Sequence, residues 1–224
     1  MGGMNTGHTG WAPSADFSNG YFDESFACQR VMVILRGLPP GPTVELCETA
    51  WRAGIDLVEV PLQDEEASAS LEAAGRAAED NGRRIGVGTV TRLGQVEDAR
   101  RAGAAFTVAP GLDEEVARAS LEAGMPHLPG AATATEVQGA MGLGLRWVKL
   151  FPAAQLTPGW VKALKAPFPS ACFVATGGVD VSNAGEFLEA GARAVAVGSA
   201  LADPGQVPLL TALNRSQTAG GGFT

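Results

Sequence analysis

From residue 21 onward the chain repeats one pattern: short apolar runs alternate with Ala/Glu/Arg-rich segments, about every 20–28 residues. The runs are VMVILR at 31–36, DLVEVPL at 56–62, RIGVGTV at 84–90 and FTVAP at 106–110. They continue as MPHLPG at 125–130, WVKLFP at 147–152, CFVATGG at 172–178 and AVAVGS at 194–199. Between them, TVELCETAWRAG and DEEVARASLEAG place apolar residues at i, i+3 and i+4 and end on Gly, as capped helices do. Strand–helix alternation of this kind builds a parallel sheet with helices packed against it. Eight regular units predict an α/β fold of the (β/α)₈ TIM-barrel type in a single domain. A doubly wound open sheet is the rival, because periodicity does not show whether a sheet closes.

The expected boundaries are a flexible, Gly-rich arm over residues 1–20, a barrel over 21–216 and a tail over 217–224. His8 and Trp11 in the arm read as bystanders. Composition narrows the function classes. A net charge of −8 argues against a nucleic-acid partner, which needs clustered Lys and Arg. No run approaches 18 apolar residues, and residues 1–27 lack a basic segment followed by an apolar one, so neither a membrane span nor a signal peptide is expected. Three cysteines (Cys28, Cys47, Cys172) without CxxC spacing suit a reducing cytoplasm. With two histidines, His8 and His127, a His-rich metal centre is disfavoured, and with it a metal-dependent mechanism.

Chemistry in such barrels gathers at the C-terminal ends of the strands. Those ends offer Arg36, Glu59, Thr89, Pro110, Gly130, Lys149, the Thr176-Gly177-Gly178 turn and the Gly198-Ser199 pair. Strands covered on both faces should be nearly continuous hydrophobe, yet Glu59 lies between two valines and Lys149 within Trp-Val-Lys-Leu-Phe. The other two lysines, Lys162 and Lys165, fall in a helix-like segment. Two readings of the strand charges stand: a buried ion pair of structural origin, or a functional pair. In the second, burial favours the neutral amine, which attacks a carbonyl to form a Schiff base, while Glu59 moves protons.

The Gly177-Gly178 and Gly198-Ser199 turns follow the seventh and eighth runs, where barrels frequently bind phosphate through backbone N–H groups. The alternative is that they are ordinary strand-to-helix turns. Arg36 and Thr89 together suit a carboxylate, or are structural. Asp113, Asp180 and Ser182 read as helix starts, and Trp51, Trp147 and Trp160 as packing.

Several stretches carry a family resemblance: VILRG, DLVEVPL, IGVGTV, FTVAPGLDEEV, LPGAATATEV, VKLFPAAQLTPGWVKALKAPFP, VATGGVDVSNAGEFLEAGA and VAVGSAL. From about residue 30 to 215 the chain resembles the 2-keto-3-deoxy-6-phosphogluconate and 6-phosphogalactonate aldolases. The resemblance implies a class I aldolase that cleaves a 2-keto-3-deoxy-6-phospho sugar acid to pyruvate and glyceraldehyde 3-phosphate. It puts the Schiff-base lysine on Lys149 and the proton-shuttling glutamate on Glu59. It puts the pyruvyl-binding positions on Arg36, Thr89 and Pro110, and phosphate binding on Gly177, Gly178, Gly198 and Ser199, with Thr176 beside them. It also implies a homotrimer without cofactor, taking a small-molecule 2-keto acid or sugar phosphate. Some members carry Arg four residues after the glutamate, where this chain has Gln63. EVPL and ATATE look like the phosphogalactonate branch, and TGGV like the phosphogluconate branch. Related enzymes act on unphosphorylated 4-hydroxy-2-oxoglutarate. The functional alternatives are a phosphate-binding isomerase or synthase, which would tolerate Lys149→Met, and a non-catalytic sugar-phosphate sensor.

Overall fold

The computed structural model describes residues 15–63 and 66–215. Among them, nine strand segments form one parallel sheet: β1 (Val31–Ile34), β2 (Val58–Pro61), β3 (Gly86–Gly88), β4 (Phe106–Val108), β5 (His127–Leu128), β6 (Gly130–Ala131), β7 (Trp147–Leu150), β8 (Cys172–Thr176) and β9 (Ala194–Val197). Their order is β5-β4-β3-β2-β1-β9-β8-β7-β6. The two ends of this list are one stretch of chain, interrupted only at Pro129, which has no N–H to donate. β5 pairs with β4 through Thr107↔His127, and β6 pairs with β7 through Gly130↔Lys149. The Pro129 carbonyl still accepts the Lys149 N–H at 2.8 Å. The sheet therefore closes into the expected (β/α)₈ barrel, and the fifth apolar run supplies two of its segments.

Helices α2 (Pro40–Arg52), α3 (Glu66–Asp80), α4 (Leu93–Arg101), α5 (Glu114–Glu122), α6 (Ala134–Gly142), α7 (Ala153–Lys165), α8 (Ala184–Glu189) and α9 (Val207–Arg215) follow the strands. We label the helix that precedes β1 α1 (Ala15–Ser25). Asp113 caps α5 by accepting the Val116 N–H at 3.0 Å, as the sequence predicts. Asp180 instead closes the turn before α8, accepting the N–H of Ser182 at 2.8 Å.

Side chains alternate across each strand, and the two faces build separate apolar layers. Val31, Val33, Val58, Val60, Val148, Leu150, Phe173 and Val195 pack outward against the helices. Met32, Ile34, Leu57, Phe106, Val108, Leu128, Trp147 and Val174 fill the interior. Glu59 shares the inward parity of Leu57, and Lys149 that of Trp147.

The expected flexible arm requires correction. Residues 15–20 are the first part of α1, whereas residues 1–14 and the proposed tail lie outside the described residues. This helix closes the N-terminal mouth of the barrel. Phe26 stacks on Trp147 with centroids 4.8 Å apart, and Phe22 meets Phe106 edge-on at 5.8 Å. Asp23 accepts the Trp147 indole N–H at 2.9 Å and pairs with Arg146. Ser18 and Asn19 are buried because they bond strand ends. Ser18 Oγ accepts the His127 N–H at 3.0 Å, and Asn19 joins the Gly144 carbonyl and the Arg146 N–H. Trp51 and Trp147 are buried, but Trp160 is partly exposed and donates to the Ala132 carbonyl at 2.7 Å.

Candidate active site

Inward parity brings the two strand charges together. Lys149 Nζ lies 3.8 Å from Glu59 Oε1, with the two side chains 3% and 0% exposed. Neither carboxylate oxygen of Glu59 receives a hydrogen bond among the described residues. The carboxylate occupies space that β3 vacates: a Cβ on Gly88 would fall on Glu59, and one on Gly86 would enter the Phe106 ring. Glycines at both inward positions of β3 thus make room for a charge and a ring. The Lys149 ammonium also faces Phe151, 5.5 Å from the ring centroid.

Above this pair opens a cavity of about 400 Å³. Arg36, Lys149, Thr176, Gly177, Gly178 and Gly198 line it, all singled out by the sequence. Glu59 lies buried beside Lys149, which itself lines the cavity. Thr89 joins the cavity through Arg36, whose Nη2 donates to Thr89 Oγ1 at 3.3 Å. Pro110 stands apart from the cavity wall and backs Gly130, where any Cβ would strike its carbonyl. Ser199 opens a 3₁₀ turn, Ser199–Ala202, directly after Gly198.

Within these boundaries a profile of the KDPG and KHG aldolases matches residues 23–209. The chain belongs to this family.

As a member of the KDPG and KHG aldolases the protein is an aldolase, and so a lyase. It is 37% identical over 177 residues to the 2-dehydro-3-deoxy-6-phosphogalactonate aldolase of Escherichia coli K12, covering 79% of this chain and 86% of that one. It is 34% identical over 164 residues to the 2-dehydro-3-deoxy-phosphogluconate aldolase of Treponema pallidum, covering 73% and 77%. The crystal structure of the KDPG aldolase from Legionella pneumophila, with pyruvate captured as a covalent carbinolamine intermediate, superposes with a TM-score of 0.75. It has 29% sequence identity and covers 85% of this chain and 96% of that one.

In this aldolase the cavity wall holds residues that the sequence reading passed over: Leu38, Leu46, Phe151, Val179 and Ala202. Phe151 was readable from its place two residues after Lys149, but Leu46 comes from a helix face that only packing reveals. Gly177 and Gly178 adopt φ of +93° and +71°. Side chains there would also meet Phe151 and Ala154, so packing alone explains both glycines. No such neighbour crowds Gly198, where a Cβ would find only the Ile34 carbonyl at 3.9 Å. Thr89 has φ of +60°, a strained choice for a β-branched residue and one that occurs beside functional sites.

Arg36 Nη1 donates to Gln63 Oε1 at 2.6 Å. No carboxylate pairs with Arg36 among the described residues. His127 points outward, away from the cavity, and its Nδ1 lies 2.8 Å from Thr107 Oγ1. Burial pushes its pKa down to about 4. No group of three or more His, Cys, Asp or Glu that could hold a metal occurs among the described residues. No helix there is long and apolar enough to cross a membrane.

Proposed function

We propose that this aldolase cleaves a 2-keto-3-deoxy-6-phospho sugar acid to pyruvate and glyceraldehyde 3-phosphate through a Schiff base on Lys149. The observation that carries the reading is the buried Lys149–Glu59 pair, 3.8 Å apart beside a cavity large enough for a sugar acid. A lysine amine is a nucleophile when neutral, and a nearby carboxylate can take or give protons. The amine adds to the C2 ketone, and the carbinolamine loses water to give an iminium. Glu59 then takes the proton of the C4 hydroxyl. The C3–C4 bond breaks, its electron pair flows into the iminium as an enamine, and the aldehyde leaves. Glu59 returns a proton to C3, and water hydrolyses the second iminium to release pyruvate and the free amine.

Arg36 and Thr89 hold the carboxylate of the keto acid, with Pro110 behind Gly130 shaping that side. Thr176, Gly177, Gly178, Gly198 and Ser199 receive the phosphate end through their backbone. The protein acts in the cytoplasm as a homotrimer and takes neither nucleic acid nor cofactor.

A second reading is an unphosphorylated 4-hydroxy-2-oxoglutarate substrate. It is favoured by the packing against Phe151 and Ala154, which accounts for Gly177 and Gly178 without a phosphate. Borohydride trapping with pyruvate tests the chemistry: one reduced pyruvyl adduct is expected on Lys149 and none in Lys149→Met. No adduct on the folded protein overturns the aldolase mechanism. Comparing cleavage of the gluconate, galactonate and 4-hydroxy-2-oxoglutarate substrates then separates the two readings, and light scattering measures the assembly.

A further inference from the structure

We infer that Gln63 is a positioning residue that aims the Arg36 guanidinium while leaving its positive charge free for a substrate anion. The inference rests on the aldolase reading only in taking that anion to be the carboxylate of a 2-keto acid.

Arg36 ends the first strand run and lines the cavity, but it is exposed to solvent. A free guanidinium on a long side chain would sample many rotamers and would have to be ordered whenever substrate binds. Two fixed acceptors prevent this. Thr89 Oγ1 takes Nη2 at 3.3 Å from one side, and Gln63 Oε1 takes Nη1 at 2.6 Å from the other. The second is the shorter, and only it has the length of a strong charge-assisted hydrogen bond.

Gln63 is itself well placed to do this. It follows Leu62, whose N–H donates to the Gly88 carbonyl at 2.8 Å and whose carbonyl accepts from Gln95 Nε2 at 2.7 Å. The backbone just before Gln63 is thereby tied to the same strand that makes room for Glu59. On the opposite side Gly37 turns the chain after Arg36 with φ of +66°. A Cβ there would come within 3.6 Å of Gln63 Nε2, so the turn and the amide fit closely.

The side-chain chemistry explains why this position is an amide. A glutamate has the same acceptor oxygen at the same reach, but it would neutralise Arg36 and compete with the incoming carboxylate. A hydrophobic residue would leave the guanidinium unaimed. Glutamine supplies an acceptor without a charge, so it does not itself offset the attraction of Arg36 for an anion.

The test compares Gln63→Glu and Gln63→Leu with wild type, with circular dichroism checking that each folds. The first readout is the pyruvate concentration that half-saturates borohydride trapping on Lys149. The second is the dissociation constant of oxalate, a dicarboxylate that forms no Schiff base, by calorimetry. Gln63→Leu should raise both several-fold, and Gln63→Glu should raise both about tenfold or more. The trapping rate at saturating pyruvate should stay within about twofold of wild type, because Gln63 does not touch the reacting atoms. Equal losses in the two variants, or values within twofold of wild type in both, overturn the inference. If wild type traps no pyruvate, the aldolase mechanism fails and Gln63 is judged on oxalate alone, where unchanged constants overturn its role.

Discussion

A single missing side chain determines where the acid of this site can sit. Gly88 faces the barrel interior, and any Cβ there collides with the Glu59 carboxylate. Gly88→Ala should therefore displace that carboxylate from Lys149 and cost about 1–3 kcal/mol of stability, as overpacking usually does. Thermal unfolding and turnover measured together should both fall. A Tm within a degree of wild type with full activity would mean that the strand moves aside freely. Glu59→Gln separates shape from proton transfer. It should still form a pyruvyl adduct, while exchange of pyruvate methyl protons with D₂O slows by about 10²–10⁴, the usual contribution of a general acid–base. NMR of the methyl signal reads this directly. Undiminished exchange would remove Glu59 from the mechanism.

Much of this was legible in the sequence at the scale of single residues, for a clear reason. A charge inside an apolar strand is expensive unless it has a partner or a task, so Glu59 and Lys149 announced themselves. Strand parity then made both point inward. Gln63 and Thr89 announced nothing comparable. Their placement depends on a side chain reaching across from another strand and on a backbone angle, φ +60°, that an ordinary threonine does not signal.

At the scale of elements, the strands were readable and α1 was not. Its sequence, ADFSNGYFDES, mixes polar residues and a glycine among its aromatics, which resembles an exposed arm. The buried polar residues are explained by what they bond. Ser18 and Asn19 satisfy backbone groups at strand starts, and Asp23 receives the Trp147 indole. Such partners lie more than 100 positions away in the chain, beyond any local pattern. Likewise Pro129 divides one apolar run into β5 and β6 without opening the barrel. Because α1 lies at the barrel end opposite the cavity, its contribution should be to stability alone. Phe26→Ala should cost about 3–5 kcal/mol, as deletion of a buried aromatic does, and leave kcat/KM of the folded fraction unchanged. Denaturant melts paired with kinetics at low temperature measure both. A large loss of kcat/KM in folded protein would show that the two ends are coupled.

For the whole molecule, pH acts on stability through a residue outside the site. His127 is fully buried, and burial holds its pKa near 4, below the ~6.5 of an exposed imidazole. Between those values the unfolded chain binds a proton that the folded chain refuses, so stability rises with pH across this window. Read downward, the stability is complete above about pH 6.5 and is lost progressively toward pH 4, by on the order of 3 kcal/mol. Urea melts from pH 7 to 4 should show this limb, and His127→Gln should flatten it. A wild-type profile as flat as that of the variant would mean that the imidazole takes up its proton without unfolding.

The aromatic closure at the N-terminal end has a consequence for traffic. Phe22 and Phe26, seated on Phe106 and Trp147, make the barrel a blind alley. On the Schiff-base mechanism proposed above, water expelled when the carbinolamine collapses, water needed for the final hydrolysis and protons relayed through Glu59 all share one doorway with the substrate. On that reading a seated sugar acid corks its own reaction vessel, and the proton removed from the C4 hydroxyl has no exit to bulk solvent until the aldehyde departs.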